Sequence, residues 1–238
     1  MDSLFIYGGK TTLAEAVALR TVSILHHSLK VHGDAVWVLA GGSTPLLAYD
    51  MIATKYANKL DWANITIVMG DERMGPAKSP HNNWHTISQI LSSLPTKKLQ
   101  PISTIDAKKS AIDYEKKLLS LPKKRNGLPR LDLVWLGVGP DGHTLSLFPE
   151  HAGLSPTDSL VVPIHNSPKP PTDRISLSLR ALLGADSAMI IATGKDKRVA
   201  ITAALSGKSL PIALAASVVA THGERVEWFM DEASSPEK

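Results

Sequence analysis

The chain is expected to fold as an α/β protein, a Rossmann-like and mainly parallel sheet with helices on both faces. Three observations predict this. Short apolar runs that read as strands alternate with amphipathic stretches of helical length. The run Ala35–Ala40 is apolar throughout, as befits a strand covered on both faces. Glycine-rich segments, Gly41-Gly42 and Gly137-Val138-Gly139, stand where strands end, the edge at which open α/β sheets place their ligands.

Taken in order, Met1–Gly8 lacks a basic start and an apolar core of adequate length, so it reads as a first strand, Leu4–Tyr7, rather than a secretory signal. Thr12 can cap a helix that runs to about His32 and is ended by Gly33. After the strand Ala35–Ala40, Pro45 sits in the first turn of a helix reaching about Tyr56. Ile65–Met69 is a strand, Asn83–Leu94 a helix, Ala107–Leu121 a basic helix and Leu131–Gly137 a strand. Leu160–Ile164, Arg174–Leu179 and Ala188–Thr193 follow as strands, Asp196–Leu205 as a helix and Arg225–Met230 as a closing strand. Three prolines make Asn166–Asp173 a rigid loop. The tail Ser234–Lys238 is expected to fray.

Composition narrows the function classes. With 238 residues, 43% hydrophobic and 20% charged, the chain can bury a full core, and without internal repeats or a long linker residues 1–238 are expected to form a single domain. There are no cysteines, which excludes disulfides and thiolate metal sites. No apolar run approaches the ~20 residues that span a bilayer, Leu210–Ala220 included, so a soluble, cytoplasmic protein is expected. The net charge of +4 is concentrated between Lys97 and Arg130, where ten basic residues face three acids. That stretch has one aromatic, Tyr114, and no nucleic-acid-binding pattern, so it reads as a solvated helix face and no nucleic-acid partner is expected.

The segment Gly137-Val138-Gly139-Pro140-Asp141-Gly142-His143-Thr144-Leu145-Ser146-Leu147-Phe148-Pro149 carries the strongest chemical signal. It places an imidazole, with Asp141 two residues earlier, at the carboxyl end of a buried strand. Its Gly-x-Gly-x-x-Gly spacing matches a dinucleotide fingerprint, but Pro140 stiffens the loop and no acidic residue closes a second strand about 20 residues on, so no nicotinamide cofactor is expected. Gly41-Gly42-Ser43-Thr44-Pro45 joins a strand to a helix, and can be either a capped tight turn or a cradle of free N–H groups for an anion. Asp71-Glu72-Arg73 is either a surface ion-pair cluster or a site in which Arg73 grips an oxyanion; its place after a strand favours the second. Arg174 follows the proline loop at the start of a strand and Lys195 follows Gly194 at the end of another, and with Arg73 and the Gly41–Thr44 amides they make a candidate phosphate site. His81 and His85 lack metalloenzyme grammar and a third ligand, so no metal is expected.

These segments, with Asn82-Asn83, Pro168-Lys169-Pro170-Pro171 and Gly194-Lys195, resemble in order and spacing the glucosamine-6-phosphate isomerase/6-phosphogluconolactonase family, on its lactonase side. The resemblance implies the fold shared by sugar-phosphate isomerases and CoA transferases, and hydrolysis of 6-phospho-D-glucono-1,5-lactone to 6-phosphogluconate without a cofactor. It implies His143 as general base with Asp141 orienting it. Gly41, Gly42, Ser43, Thr44, Asp71, Arg73, Asn83, Gly139, Arg174 and Lys195 would then bind the substrate, with Arg73, Arg174 and Lys195 on the phosphate and amides near Gly42 or Gly139 on the oxyanion. Two positions depart from the family pattern, Asn82 where Ser is frequent and Leu145 where Ala is. The sister deaminases carry a glutamate at the position of Phe148 and lack the arginine of Asp71-Glu72-Arg73. A non-catalytic sugar-phosphate sensor would add a helix-turn-helix domain, for which this length leaves no room.

Overall fold

Each apolar strand is followed by a segment long enough to return the chain to the starting edge, and this is what parallel pairing requires. The computed structural model describes residues 3–76, 78–101, 106–121, 124–125, 127–222 and 224–237. The strands are β1 (Ser3–Tyr7), β2 (Ala35–Leu39), β3 (Ile65–Met69), β4 (Asp71–Arg73), β5 (Lys97–Leu99), β6 (Lys124–Arg125), β7 (Leu128–Pro129), β8 (Leu133–Gly137), β9 (Val161–Ile164), β10 (Arg174–Leu177), β11 (Ser187–Ala192) and β12 (Arg225–Asp231). The helices are α1 (Lys10–His32), α2 (Leu46–Thr54), α3 (Asn83–Ile90), α4 (Ala107–Leu119), α5 (Leu179–Leu182), α6 (Arg198–Leu205) and α7 (Pro211–Val219).

Seven strands form one sheet in the order β1-β12-β11-β8-β2-β3-β5, parallel throughout. The order reverses between β2 and β8, so a crevice opens at their carboxyl ends. The loops leaving those two strands are the glycine-rich segments.

Period-2 alternation splits the interior into two cores. Val36 and Val38 of β2 and Val134 and Leu136 of β8 pack on one face with α4, α6 and α7. Trp37, Leu39, Leu133 and Trp135 pack on the other with α1, α2 and α3. There Trp37 meets Trp135 edge-on at 5.0 Å, and Tyr49 stacks on Trp135 at 4.7 Å, geometries that aromatic pairs prefer. Tyr49 also donates its hydroxyl to Ala40 O (3.0 Å) and accepts from Ala40 N (2.9 Å). Tyr114 does the same for Met69, at 2.9 and 2.7 Å. Each phenol satisfies the backbone at the point where a strand leaves the sheet, and burial raises both pKa values, so they remain protonated donors.

Several expectations need correction. Thr12 lies inside the first turn of α1, its hydroxyl donating to Gly9 O, and Gly9 rather than Thr12 is the cap residue. α3 ends at Ile90 and passes into a 3-10 turn, Leu91–Ser93, and α6 starts at Arg198 after another, Lys195–Lys197. Asp71–Arg73 is itself a strand: β4, β10 and β9 form a small antiparallel sheet beside the main one. Lys97-Lys98 belong to the edge strand β5 rather than to a helix face, where exposed lysines discourage pairing with another chain. α7 occupies the apolar run after Leu210, with Pro211 at its first position. The tail does not fray at its start, because Ser234 is fully buried and its hydroxyl bonds to Ala192 O. Lys123 of the basic run, Met1, Asp2 and Lys238 lie outside the described residues.

Candidate active site

The loop from β8 must reverse direction at once to stay over the sheet, and its glycines allow this. Gly142 has φ +81°, a left-handed conformation natural to glycine. Gly139 N–H donates to His143 O (2.8 Å) and Gly142 N–H to Gly139 O (2.9 Å), closing a tight loop; Ile212 N–H at the start of α7 donates to Gly142 O. A side chain on Gly139 would overlap the His143 ring, its Cβ falling 1.9 Å from Nδ1, so only glycine leaves room for the imidazole there.

His143 Nδ1 donates to Asp141 Oδ1 at 2.5 Å, which leaves Nε2 as the basic atom. Burial pulls the His143 pKa below its ordinary 6.5, Lys169 adds to the pull, and Asp141 opposes it. The net shift favours the neutral imidazole, the form that can accept a proton. Burial works against ionisation of Asp141, but the bond from His143 and the charges of His143 and Lys169 outweigh it and hold the carboxyl below 3.8. Phe148, buried, packs on the imidazole with ring centres 4.5 Å apart, and the Arg174 guanidinium lies over the Phe148 ring at 5.4 Å from its centre.

One cleft of about 310 Å³ gathers Gly41, Gly42, Ser43, Thr44, Asp71, Arg73, Asn83, Gly139, His143 and Arg174. Gly41 permits the close approach of Asn83, whose side chain its Cβ would strike at 2.3 Å. Asp71 Oδ2 accepts from Ser146 Oγ (2.5 Å), and Arg174 Nη1 lies 3.4 Å from the same hydroxyl. Glu72 points away from the cleft. Its carboxylate accepts N–H bonds from Arg73, Asn83 and Trp84, each 2.8 Å, and so ties β4 to the start of α3; burial pushes its pKa up to about 7 against the pull of those donors.

Cations are distributed differently from the sequence expectation. Arg73 Nη1 donates to His81 O (2.9 Å), while its buried Nε has no partner among the described residues. Arg174, opposite Arg73 in the β4–β10 register, commits Nε to Pro171 O and Nη2 to Lys169 O, so it shapes the proline loop as well as facing the cleft. Lys195 does not line the cleft; Lys197 does, two residues on. Lys169 lines it too, its Nζ 3.5 Å from His143 Nδ1 and 3.7 Å from Asp141 Oδ1. Both lysines escaped the sequence reading, although Lys169 stood inside the proline run. Asp141 reaches the cleft only through His143. Gly139 N–H is spent on His143 O, whereas Gly42 N–H, at φ +85°, bonds to nothing among the described residues.

Among the described residues, His32, Asp132 and Asp186 alone form a group of three side chains close enough to share a metal ion. They lie at the amino ends of the strands, away from the cleft. No helix among the described residues is long and apolar enough to cross a membrane.

Comparison with known proteins identifies the family. Residues 9–228 match the family model described as glucosamine-6-phosphate isomerases/6-phosphogluconolactonase. The chain is 34% identical to a 6-phosphogluconolactonase of Streptomyces coelicolor, over 98% of this chain and 93% of that protein. It is 37% identical to the 6-phosphogluconolactonase of Rattus norvegicus, over 94% and 87%. The solved structure of 6-phosphogluconolactonase from Trypanosoma brucei superposes with a TM-score of 0.84 at 25% identity, covering 98% of this chain and 97% of that one. The chain therefore belongs to the glucosamine-6-phosphate isomerase/6-phosphogluconolactonase family.

Proposed function

We propose that this protein is a 6-phosphogluconolactonase, which hydrolyses 6-phospho-D-glucono-1,5-lactone to 6-phospho-D-gluconate in the oxidative pentose phosphate pathway. The observation that carries the reading is His143, fixed by Asp141 at 2.5 Å in a cleft bordered by Arg73, Lys169, Arg174 and Lys197. A lactone is an activated ester, so one base and one oxyanion site suffice. His143 Nε2 takes a proton from water as its oxygen bonds to C1, and the carbonyl oxygen gains the negative charge. The Gly42 N–H is the donor available for that charge. Collapse of the intermediate breaks the bond from C1 to the ring oxygen, which receives the proton from the imidazolium. Asp141 stabilises that imidazolium while it exists. The cations hold the phosphate.

The sister chemistry of the family is disfavoured by Phe148, whose apolar ring against the imidazole cannot shuttle the protons that amino-sugar ring opening and isomerisation need. We place the protein in the cytoplasm with its soluble substrate. We read residues 1–238 as one domain, a reading supported by the pairing of β1 with β12. The decisive assay is acid release from freshly generated lactone, corrected for spontaneous opening. His143→Ala should lower kcat by about 10²-fold or more with the fold intact; near-normal turnover in a folded variant would remove this histidine as the base.

A further inference from the structure

Lys197 reaches the cleft from a turn that is fastened at both ends by the carboxyl-terminal segment. At one end, Gly194 N–H donates to both oxygens of Asp231, at 3.0 and 3.2 Å. Asp231 closes β12, is buried, and also accepts from Ser234 N–H at 2.9 Å. Gly194 has φ +96°, so its extended exit from β11 belongs to glycine, and the carboxylate holds the N–H of that unusual conformation. At the other end, Arg198 donates through Nε to Ala233 O (3.1 Å) and through Nη2 to Glu232 O (3.0 Å). Lys195, Asp196 and Lys197 form the 3-10 turn between these two fastenings. The residue before Gly194, Thr193, places its hydroxyl 3.4 Å from that of Thr44, so the turn also abuts the glycine loop leaving β2.

We propose that Asp231 is a positioning residue for phosphate recognition: through Gly194 it sets where the Lys197 ammonium stands at the cleft. This rests on the reading that Lys197 holds the 6-phosphate. A buried carboxylate is suited to the task because its two acceptor oxygens can hold the amides of Gly194 and Ser234 at once. Lys197 Nζ pairs with Asp196 Oδ2 at 2.8 Å inside the same turn, so its charge moves with the turn and stands where the turn's backbone is anchored. Among the described residues no cation pairs with Asp231, and the amides of Gly194 and Ser234 are its partners. The contact is thus backbone placement, not neutralisation.

The test measures kcat and KM on the phosphorylated lactone and on unphosphorylated glucono-1,5-lactone for Asp231→Asn, Lys197→Ala and the double variant. Asp231→Asn should raise KM for the phosphorylated substrate about tenfold, the loss expected when a charge-assisted contact is misplaced, with kcat within about threefold. Glucono-1,5-lactone kinetics should not move. In the Lys197→Ala background Asp231→Asn should change KM by less than about twofold, since both act through one side chain. If Lys197→Ala raises KM selectively and Asp231→Asn does not, or if Asp231→Asn impairs both lactones equally, the positioning role is overturned while the phosphate reading stands. If Lys197→Ala itself leaves KM unchanged, the phosphate reading of Lys197 fails and the proposal fails with it. Should Asp231→Asn not fold, Arg198→Gln releases the other end of the same turn from outside the core. It should reproduce the selective rise in KM, and its absence would count against the proposal.

Discussion

Gly139→Ala separates the geometry of the imidazole from the stability of the fold. The new Cβ would stand 1.9 Å from His143 Nδ1, 2.1 Å from Cε1 and 2.5 Å from Asp141 Oδ1. Ordinary contact begins near 3.4 Å, so the ring or the loop must retreat by about 1.5 Å. Displacement of a reacting group by about 1 Å costs on the order of 10²-fold in rate, and here the bond that fixes the tautomer is strained as well. kcat should therefore fall at least 10²-fold. The atoms that must move belong to side chains at the rim of the cleft, so the melting temperature should drop by no more than a few degrees and the far-ultraviolet spectrum should be unchanged. The assay is stopped-flow acid release with the spontaneous rate subtracted. A folded Gly139→Ala protein with kcat within about threefold of wild type would show that the imidazole does not need its observed position, and the reasoning from His143 outward would fail.

Three further outcomes are expected. Activity follows the neutral imidazole, and because burial lowers the His143 pKa, the acid limb of kcat/KM should have its midpoint below that of an ordinary histidine; Lys169→Met should move that limb to higher pH, and a static or opposite shift in the pH profile would contradict the role given to Lys169. Arg73→Ala should weaken binding of the phosphorylated lactone by about 1.5–3 kcal/mol and leave the unphosphorylated lactone unaffected; Lys195→Ala, whose residue stands outside the cleft wall, should cost less, and steady-state KM values on the two lactones decide both points. Glucosamine 6-phosphate should yield no ammonia at a rate comparable to lactone hydrolysis, since Phe148 rather than a carboxylate packs on the imidazole; an ammonia-coupled assay checks this.

The parallel sheet was legible because its central strands β2, β3, β8 and β11 are mostly apolar runs, and the spacing between successive strands leaves room for a helical crossover. The small sheet was not. β4 is three polar residues, Asp71-Glu72-Arg73, and what makes it a strand is its partner β10, about a hundred positions away. β5 hid for a related reason, since Lys97-Lys98-Leu99 has the composition of a helix surface and pairs with β3 only at the sheet edge. α7 carried a readable signal in Pro211 that a test of bilayer-spanning length overlooks. At the site, loops that leave a strand directly were placeable, as with Gly41–Thr44 and Gly137–His143. Side chains whose direction depends on a turn were not: Lys195 and Lys197 are two residues apart in a 3-10 turn, and only one reaches the cleft. Lys169 depends on a loop folded around Arg174, and no local pattern encodes that.

The register of β4 against β10 sets Arg73 directly opposite Arg174. Like charges so placed across a strand pair oppose folding, and Arg73 together with burial depresses the Arg174 pKa, with Asp71 only partly offsetting them. The substrate-free chain thus carries an electrostatic debt that a dianion settles, which makes anions thermodynamic partners of folding as well as of turnover. Inorganic phosphate at a hundred times its dissociation constant would add about 2.7 kcal/mol to the unfolding free energy by mass action. Thermal stability measured in phosphate buffer should exceed that in a zwitterionic buffer of equal ionic strength. The gap should shrink in Arg73→Gln, where one of the facing charges is gone. Any phosphorylated sugar that fits the cleft would stabilise the folded chain by the same linkage, so the substrate protects the fold that consumes it.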